Sequence, residues 1–133
     1  MKHTDPLCDV SLYLRGDSLD PQVISAALGV PATLGQKLGD SLSSKSNARA
    51  RNGAWVLKAQ SNSIHLRDHL DEMFGLLKQF NRSLRTLEGV EYAFLDVFMA
   101  TEDESGQTMA ICLNEERVLE LARLGLALEV TLS

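Results

Sequence analysis

Two histidines and a glutamate form the most suggestive chemical group in this sequence. His65, His69 and Glu72 are spaced i, i+4 and i+7, which on an α-helix places all three side chains on one narrow strip. Imidazole and carboxylate groups are common zinc ligands. However, the glutamate that directly follows the first histidine in a zinc-protease helix is missing. A structural role, with border histidines paired to neighbouring acids, is the alternative that we favour, and we predict no metal site.

A basic, polar segment is the second candidate. Residues 31–53 carry Lys37, Lys45, Arg49 and Arg51 against a single acidic residue. The glycines of the segment lack the spacing of a phosphate-binding loop, and no Gly-Lys-Ser/Thr follows them. Long loops in compact domains are either functional or disordered, so we interpret the segment as a flexible loop. Its cations can contact a phosphate or an acidic partner, and binding can order the segment, because flexible segments often fold on binding.

The remaining chemistry-bearing residues have no catalytic pattern around them. Trp55 lies in an apolar, strand-like segment, where it can either stack on a ligand or anchor the long helix to the sheet. Cys8 and Cys112 lie in apolar segments typical of buried cysteines. No Gly-x-Ser-x-Gly elbow occurs. We therefore predict no catalytic residue and no cofactor, although an enzyme of unrecognised type stays open.

Hydrophobic periodicity predicts the elements that position these residues. Strand-like alternation occurs in five segments, 8–15, 54–60, 92–101, 108–113 and 127–132. Apolar residues recur at helical spacing over 20–28, over 64–87 and between Asn114 and Gly125. This order predicts one α+β domain over residues 1–133, with a mixed, mostly antiparallel five-stranded sheet and a ferredoxin-like character. An inexact repeat of two strand–helix–strand units is consistent with the same order.

Composition and charge exclude several classes of protein. The chain has 133 residues, of which 44% are hydrophobic, enough for one domain with its own core. The net charge of −5 argues against nucleic-acid binding, since phosphate contacts supply most non-specific affinity. No apolar run approaches the roughly 20 residues of a membrane helix. The N-terminal segment lacks the apolar core of a signal peptide, so we expect a cytoplasmic protein without a membrane partner.

Three structural motifs together resemble a bacterial family known as domain of unknown function 4279. The motifs are the helix start Leu-Asp-Pro at 19–21, the helix stop Leu-Gly-Val-Pro at 28–31, and the strand Gly-Ala-Trp-Val-Leu at 53–57. With the amphipathic segment 64–87, the resemblance covers nearly the whole chain. It implies a small bacterial protein, and it brings no reaction, cofactor or catalytic residue.

We predict a non-enzymatic module that binds another protein, with an immunity-like role suggested by analogy to small toxin-neutralising proteins. The candidate contact residues are Lys37, Lys45, Arg49, Arg51 and Trp55. The alternative is a small-ligand-binding domain with a pocket between the sheet and the 31–53 loop. An exposed patch without a cleft would favour the protein partner, and a concave pocket with convergent polar groups would favour the ligand. The sequence leaves the oligomeric state open.

Overall fold

Residues 7–43 and 47–133, the part of the chain that the computed structural model describes, form five strands and three α-helices. In chain order these are β1 Cys8–Gly16, α1 Pro21–Leu28, β2 Leu34–Gln36, β3 Gly53–Lys58, α2 Leu66–Leu76, β4 Tyr92–Met99, α3 Glu115–Leu124 and β5 Ala127–Leu132. The longest described helix has 11 residues, and none is long and apolar enough to cross a membrane. The predicted α+β class is confirmed.

One open sheet contains all five described strands in the order β2-β3-β1-β4-β5. Pairing is antiparallel throughout except between β4 and β5, which are parallel. The predicted mixed, mostly antiparallel sheet is therefore confirmed. β1 and β2 run parallel with β3 between them, as in the split β-α-β unit of ferredoxin-like folds. β3, α2 and β4 repeat this arrangement, because β1 lies between the parallel strands β3 and β4. β5 is added at the edge as a direct parallel neighbour of β4.

The hydrophobic core lies on one face of the sheet. Alternate residues of β1, β3 and β4 supply its sheet side, namely Val10, Leu12, Leu14, Trp55, Leu57, Ala93, Leu95 and Val97. The three helices supply Ile24, Leu28, Leu66, Leu70, Met73, Leu121 and Leu124 to the same cluster. The strand residues between the alternate core positions point to the opposite face. All three described helices pack on the core face, so no described helix covers the opposite one. We call it the open face.

The short helices begin and end where the sequence predicts. Asp20 caps α1 by accepting a hydrogen bond from the Gln22 backbone N–H at 3.0 Å, which satisfies one of the free donors of the first turn. Gly29 ends α1 in the left-handed region at φ 71°. Asn114 and Gly125 do the same for α3. These helix boundaries are confirmed.

The long helix predicted over 64–87 is wrong in its second half. α2 ends at Leu76, and the chain continues through turns and a short 3₁₀ helix at Leu84–Thr86. The apolar residues beyond the helix are nevertheless buried, namely Leu77, Phe80, Leu84 and Leu87. Ser83 caps the 3₁₀ helix by accepting from the backbone N–H of Arg85. The apolar spacing therefore marks residues that face the core, whether or not the helix is continuous.

One predicted strand is absent and one strand was missed. Residues 109–114 have no regular structure, and the segment 108–113 contributes only an isolated bridge between Thr108 and Glu102. The prediction of a strand there is wrong. The missing fifth strand is β2, which lies inside the segment predicted as a loop. Because β2 has only three residues and depends on pairing with β3, periodicity could not reveal it.

The two cysteines differ in environment, since Cys8 is buried in β1 and Cys112 is exposed. The prediction that Cys112 is buried is wrong, because its segment does not join the sheet. Burial and the nearby charge of Asp9 raise the pKa of the Cys8 thiol to about 11. At about pH 8, therefore, only about one Cys8 in a thousand is a reactive thiolate.

We expect a thiol reagent such as 5,5′-dithiobis(2-nitrobenzoate) to label one cysteine in the folded protein and two in guanidinium chloride. The Cys112→Ser variant should be unreactive when folded, and the Cys8→Ser variant should react like the parent protein. Rapid labelling of both thiols in the folded protein would contradict the burial of Cys8 in the sheet.

Candidate functional site

Side chains on the open face form rows that cross the strands. One row runs from β2 to β4 and contains Leu34, Val56, Tyr13 and Phe94. The next row contains Gln36, Ala54, Arg15 and Tyr92. In this second row a small alanine lies between two long side chains. The open face is therefore concave above Ala54.

The described parts of the segment between β2 and β3, residues 37–43 and 47–52, form one wall above this concavity. We call these residues the arm. Its two sides pair with each other through a bridge between Ser41 and Arg49. The Gly39 N–H also donates a hydrogen bond to the Ala50 carbonyl at 2.9 Å. The arm is therefore an extension of the β2–β3 hairpin. The flexibility that the sequence suggests for this segment stays a prediction.

A cavity of about 630 Å³ lies between the arm and the open face. Its floor is apolar, and its lining comprises Tyr13, Arg15, Leu34, Gly35, Gln36, Leu42, Ala48, Arg49, Ala50, Arg51, Asn52, Ala54 and Val56. Ala54 and Val56 are each only 8% exposed although no described helix covers them. A cavity of this volume is in the usual range of small-molecule sites.

The concavity continues across the sheet towards β5. Tyr13, Arg15 and Asn52 also line a second cavity of about 510 Å³. That cavity extends over β4 and β5 to the carboxylates of Asp96 and Glu129. The open face is thus a trough with cations at the arm and acids at the β5 end.

Two aromatic rings hold Arg15 at the junction of the two cavities. The rings of Tyr13 and Phe94 stack with their centroids 5.2 Å apart and an interplanar angle of 3°. The Arg15 guanidinium lies 5.1 Å from the Tyr13 centroid and 5.5 Å from the Phe94 centroid. Cation–π attraction of this kind positions a guanidinium without using its N–H donors. Arg15 can therefore donate hydrogen bonds to a ligand.

The four predicted cations of the loop lie in different places. Arg49 and Arg51 both line the cavity under the arm. Lys37 lies outside that cavity, and its ammonium group is 3.8 Å from the Asp20 carboxylate at the start of α1. Lys45 is outside the described residues. The structure thus brings two of the predicted contact residues together.

Trp55 lies on the other face of the sheet, away from the cavity. Its side chain is completely buried in the core, and its indole N–H donates a hydrogen bond to the Ser25 hydroxyl of α1 at 2.9 Å. The tryptophan therefore joins α1 to β3, and not the long helix of the prediction. No ligand on the open face can contact it directly.

His69, the central residue of the histidine strip, is almost fully buried, with 1% of its surface exposed. Its Nε2 lies 2.8 Å from the backbone carbonyl of Ser63, in the connection that leads into α2. Its Nδ1 is buried and has no hydrogen-bond partner within the described part of the chain. The hydrogen bond between Nε2 and the Ser63 carbonyl fixes the start of α2 against the preceding loop.

Glu72 and His65 complete the strip and have different surroundings. The Glu72 carboxylate accepts hydrogen bonds from the backbone N–H groups of Gln60 and Ser61 at 2.6 and 2.9 Å. His65 is exposed at the N-terminus of α2. Among residues 7–43 and 47–133, no three His, Cys, Asp or Glu side chains are grouped so that they could hold a metal ion.

The open-face residues of β1 and β4 are not among the site residues predicted from the sequence. Tyr13 and Arg15 lie on the polar side of the first predicted strand, and Phe94 lies on the corresponding side of β4. The only available sequence signal was that Tyr13 and Arg15 lie two residues apart, and therefore on the same face of β1. The arginine site also needs Phe94, and only the register of β1 and β4 places that ring beside Tyr13.

Comparison with known proteins gives one match. A family model described as "Domain of unknown function (DUF4279)" matches residues 6–133. No curated protein and no solved structure matches the chain. The family resemblance carried by the helix-end motifs and the tryptophan strand is confirmed.

Proposed function

Because this chain belongs to the family of domain of unknown function (DUF4279), which supplies no reaction, we propose a function from its geometry alone. The protein is a binding module that takes up a small organic ligand in the cavity between the arm and the open face. Functions belong to sites and not to folds. The α+β architecture therefore adds nothing to this assignment beyond the concave surface that it provides.

The composition of the cavity supports this proposal most directly. An apolar floor of Leu34, Ala54 and Val56 faces polar groups that converge from β1 and from the arm. Small-molecule sites typically combine an apolar lining with a few polar groups that orient the ligand. Among the described residues, the lining contains no histidine, cysteine, serine, aspartate or glutamate. It therefore supports binding better than acid–base or nucleophilic catalysis.

A fragment screen by ligand-observed NMR tests the proposal. We expect several fragments to bind the parent protein and to lose binding in the Ala54→Leu variant, because the added carbons fill the floor of the cavity. Ala48→Leu narrows the same cavity from the exposed arm. It provides a second test if Ala54→Leu fails to fold, as judged by circular dichroism.

Ala122→Leu is the matched control, because Ala122 is exposed on α3 and does not line the cavity. It should retain every fragment that the parent protein binds. If no fragment binds, or if binding survives both cavity substitutions, the cavity is not a ligand site and the proposal is wrong.

A protein-binding role, which the sequence analysis favoured, is the second candidate. Tyr92 and Phe98 support it, because these aromatic residues of β4 are 62% and 43% exposed and neither lines the cavity under the arm. Aromatic side chains are enriched where proteins contact each other. A bacterial, cytoplasmic setting and an immunity-like role stay predictions.

An affinity pull-down with purified bait separates this candidate from the first. The protein-binding candidate predicts that the parent chain retains one partner in stoichiometric amount and that a Tyr92→Ser, Phe98→Ser variant loses it. The Ala54→Leu variant should still retain that partner, since its cavity is filled while the aromatic surface is unchanged. Retention by the doubly substituted chain would contradict this second candidate.

A further inference from the structure

The cavity under the arm concentrates positive charge in an acidic protein. The described residues of its lining include Arg15, Arg49 and Arg51 and no aspartate or glutamate, whereas the whole chain has a net charge of −5. We propose that its ligand is a small organic anion whose carboxylate or phosphate group is bound by these arginines. This inference rests on the proposed function, since it names the chemical class of the ligand in the same cavity.

The three arginines are available to such a ligand. Within residues 7–43 and 47–133, no carboxylate pairs with them and no acceptor takes a hydrogen bond from their guanidinium groups. Arginines of the helix layer, by contrast, pair with carboxylates, namely Arg67, Arg117 and Arg123. A guanidinium presents five N–H donors in a planar fork. Carboxylate and phosphate oxygens match that fork best.

Arg15 is positioned before any ligand arrives. Its guanidinium lies over the stacked rings of Tyr13 and Phe94, 5.1 and 5.5 Å from their centroids. On the side of β3, the residue beside Arg15 is the small Ala54. A side chain that is already held loses little conformational entropy when a ligand binds, so ordering it reduces the affinity only slightly. Arg15 is therefore the residue that we expect to contribute most to anion affinity.

The apolar floor indicates that the anion carries an organic body. Leu34, Ala54 and Val56 lie below the arginines, and Leu42 lies on the arm. An inorganic ion would leave these surfaces uncovered in a cavity of about 630 Å³. A ring or short chain attached to the anionic group would cover them and contribute hydrophobic free energy.

Calorimetric titration with four probes tests this inference. Phenyl phosphate, benzoate and benzyl alcohol share a ring and differ in head group, and inorganic phosphate lacks the ring. We expect at least one aromatic anion to bind about tenfold or more tightly than benzyl alcohol, because charge-assisted hydrogen bonds are the stronger ones. Inorganic phosphate should bind more weakly than phenyl phosphate. The ratio of the dissociation constants of phenyl phosphate and benzoate shows whether the site prefers a phosphate or a carboxylate head group.

Arginine substitutions locate the anion. Arg15→Gln and Arg51→Gln should each weaken binding of the aromatic anion by about tenfold, since each removes a charged donor. Arg67→Gln removes the same charge from the exposed surface of α2 and should change the affinity less than about twofold. Arg51 belongs to the arm and not to a strand, so its variant keeps the test decisive if Arg15→Gln fails to fold.

Two results would contradict the inference that the ligand is an anion and would still support the proposed function. One is equal affinity for benzyl alcohol and for both aromatic anions, with binding lost in Ala54→Leu. The other is anion binding that neither Arg15→Gln nor Arg51→Gln weakens, beside fragments that still require the cavity. If none of the four probes and no fragment binds, both the inference and the proposed function are wrong.

Discussion

Truncation of Leu70 to alanine is expected to lower the free energy of unfolding by about 2–5 kcal/mol, the usual cost of removing a buried leucine side chain. Leu70 is completely buried in the middle of α2. α2 packs on β1, the central strand of the sheet. The substitution loses the transfer free energy of the removed atoms and leaves a cavity between helix and sheet, and both effects lower the free energy of unfolding. Urea denaturation followed by circular dichroism measures the effect.

Leu76 provides the control on the same helix. It is 41% exposed, so Leu76→Ala should change the free energy of unfolding by less than about 0.5 kcal/mol. The two variants remove the same atoms from the same helix, and Leu76 is exposed whereas Leu70 is buried. Equal effects for both would contradict the orientation of α2 against the sheet.

The second large effect is expected where three glycines bring backbone segments together. Gly16 ends β1 opposite Gly53 of β3, and Gly89 lies against both the turn before α1 and the end of β1. A β-carbon on Gly16 would lie 1.8 Å from the Gly89 carbonyl oxygen, and one on Gly53 would lie 2.3 Å from the Leu19 carbonyl oxygen. Real atoms cannot approach so closely, so the backbone must shift.

We expect Gly16→Ala to destabilise the protein by about 3 kcal/mol, at the upper end of the range for overpacking. Gly53→Ala should have a similar effect. Thermal and urea denaturation measure both variants.

Gly75→Ala is the matched control, with an effect of opposite sign. Gly75 lies in α2, and a β-carbon there would meet no atom within 4 Å. Alanine should therefore stabilise the helix by up to about 1 kcal/mol. If Gly16→Ala were as well tolerated as Gly75→Ala, the close approach of β1 to the segment around Gly89 would be wrong.

Local signals in the sequence were enough to predict most of the fold. The caps Asp20 and Asn114 and the terminal glycines Gly29 and Gly125 define α1 and α3, because each acts on its own turn. The errors arose where tertiary contacts decide. Buried residues continue at helical spacing past the end of α2, and β2 exists only through its pairing with β3.

The site was less predictable than the fold, because its residues become neighbours only through the register of β3, β1 and β4. Arg49 and Arg51 were recognisable from the charge of their segment, and both line the cavity. Arg15 was not recognisable, since its stacked rings come from β1 and β4 and meet only when Tyr13 is aligned with Phe94. Trp55 was a candidate because of its residue type, yet strand alternation places it in the core.

An amide-detected NMR titration with phenyl phosphate tests most directly whether the cavity under the arm binds ligands. We expect chemical-shift changes that cluster at Arg15 in β1, in β2 and over the described arm residues 47–52, and that saturate with one ligand per chain. Amides of α2 and α3, on the other face of the sheet, should be unchanged. Changes confined to the helices, or scattered without saturation, would contradict a ligand site on the open face.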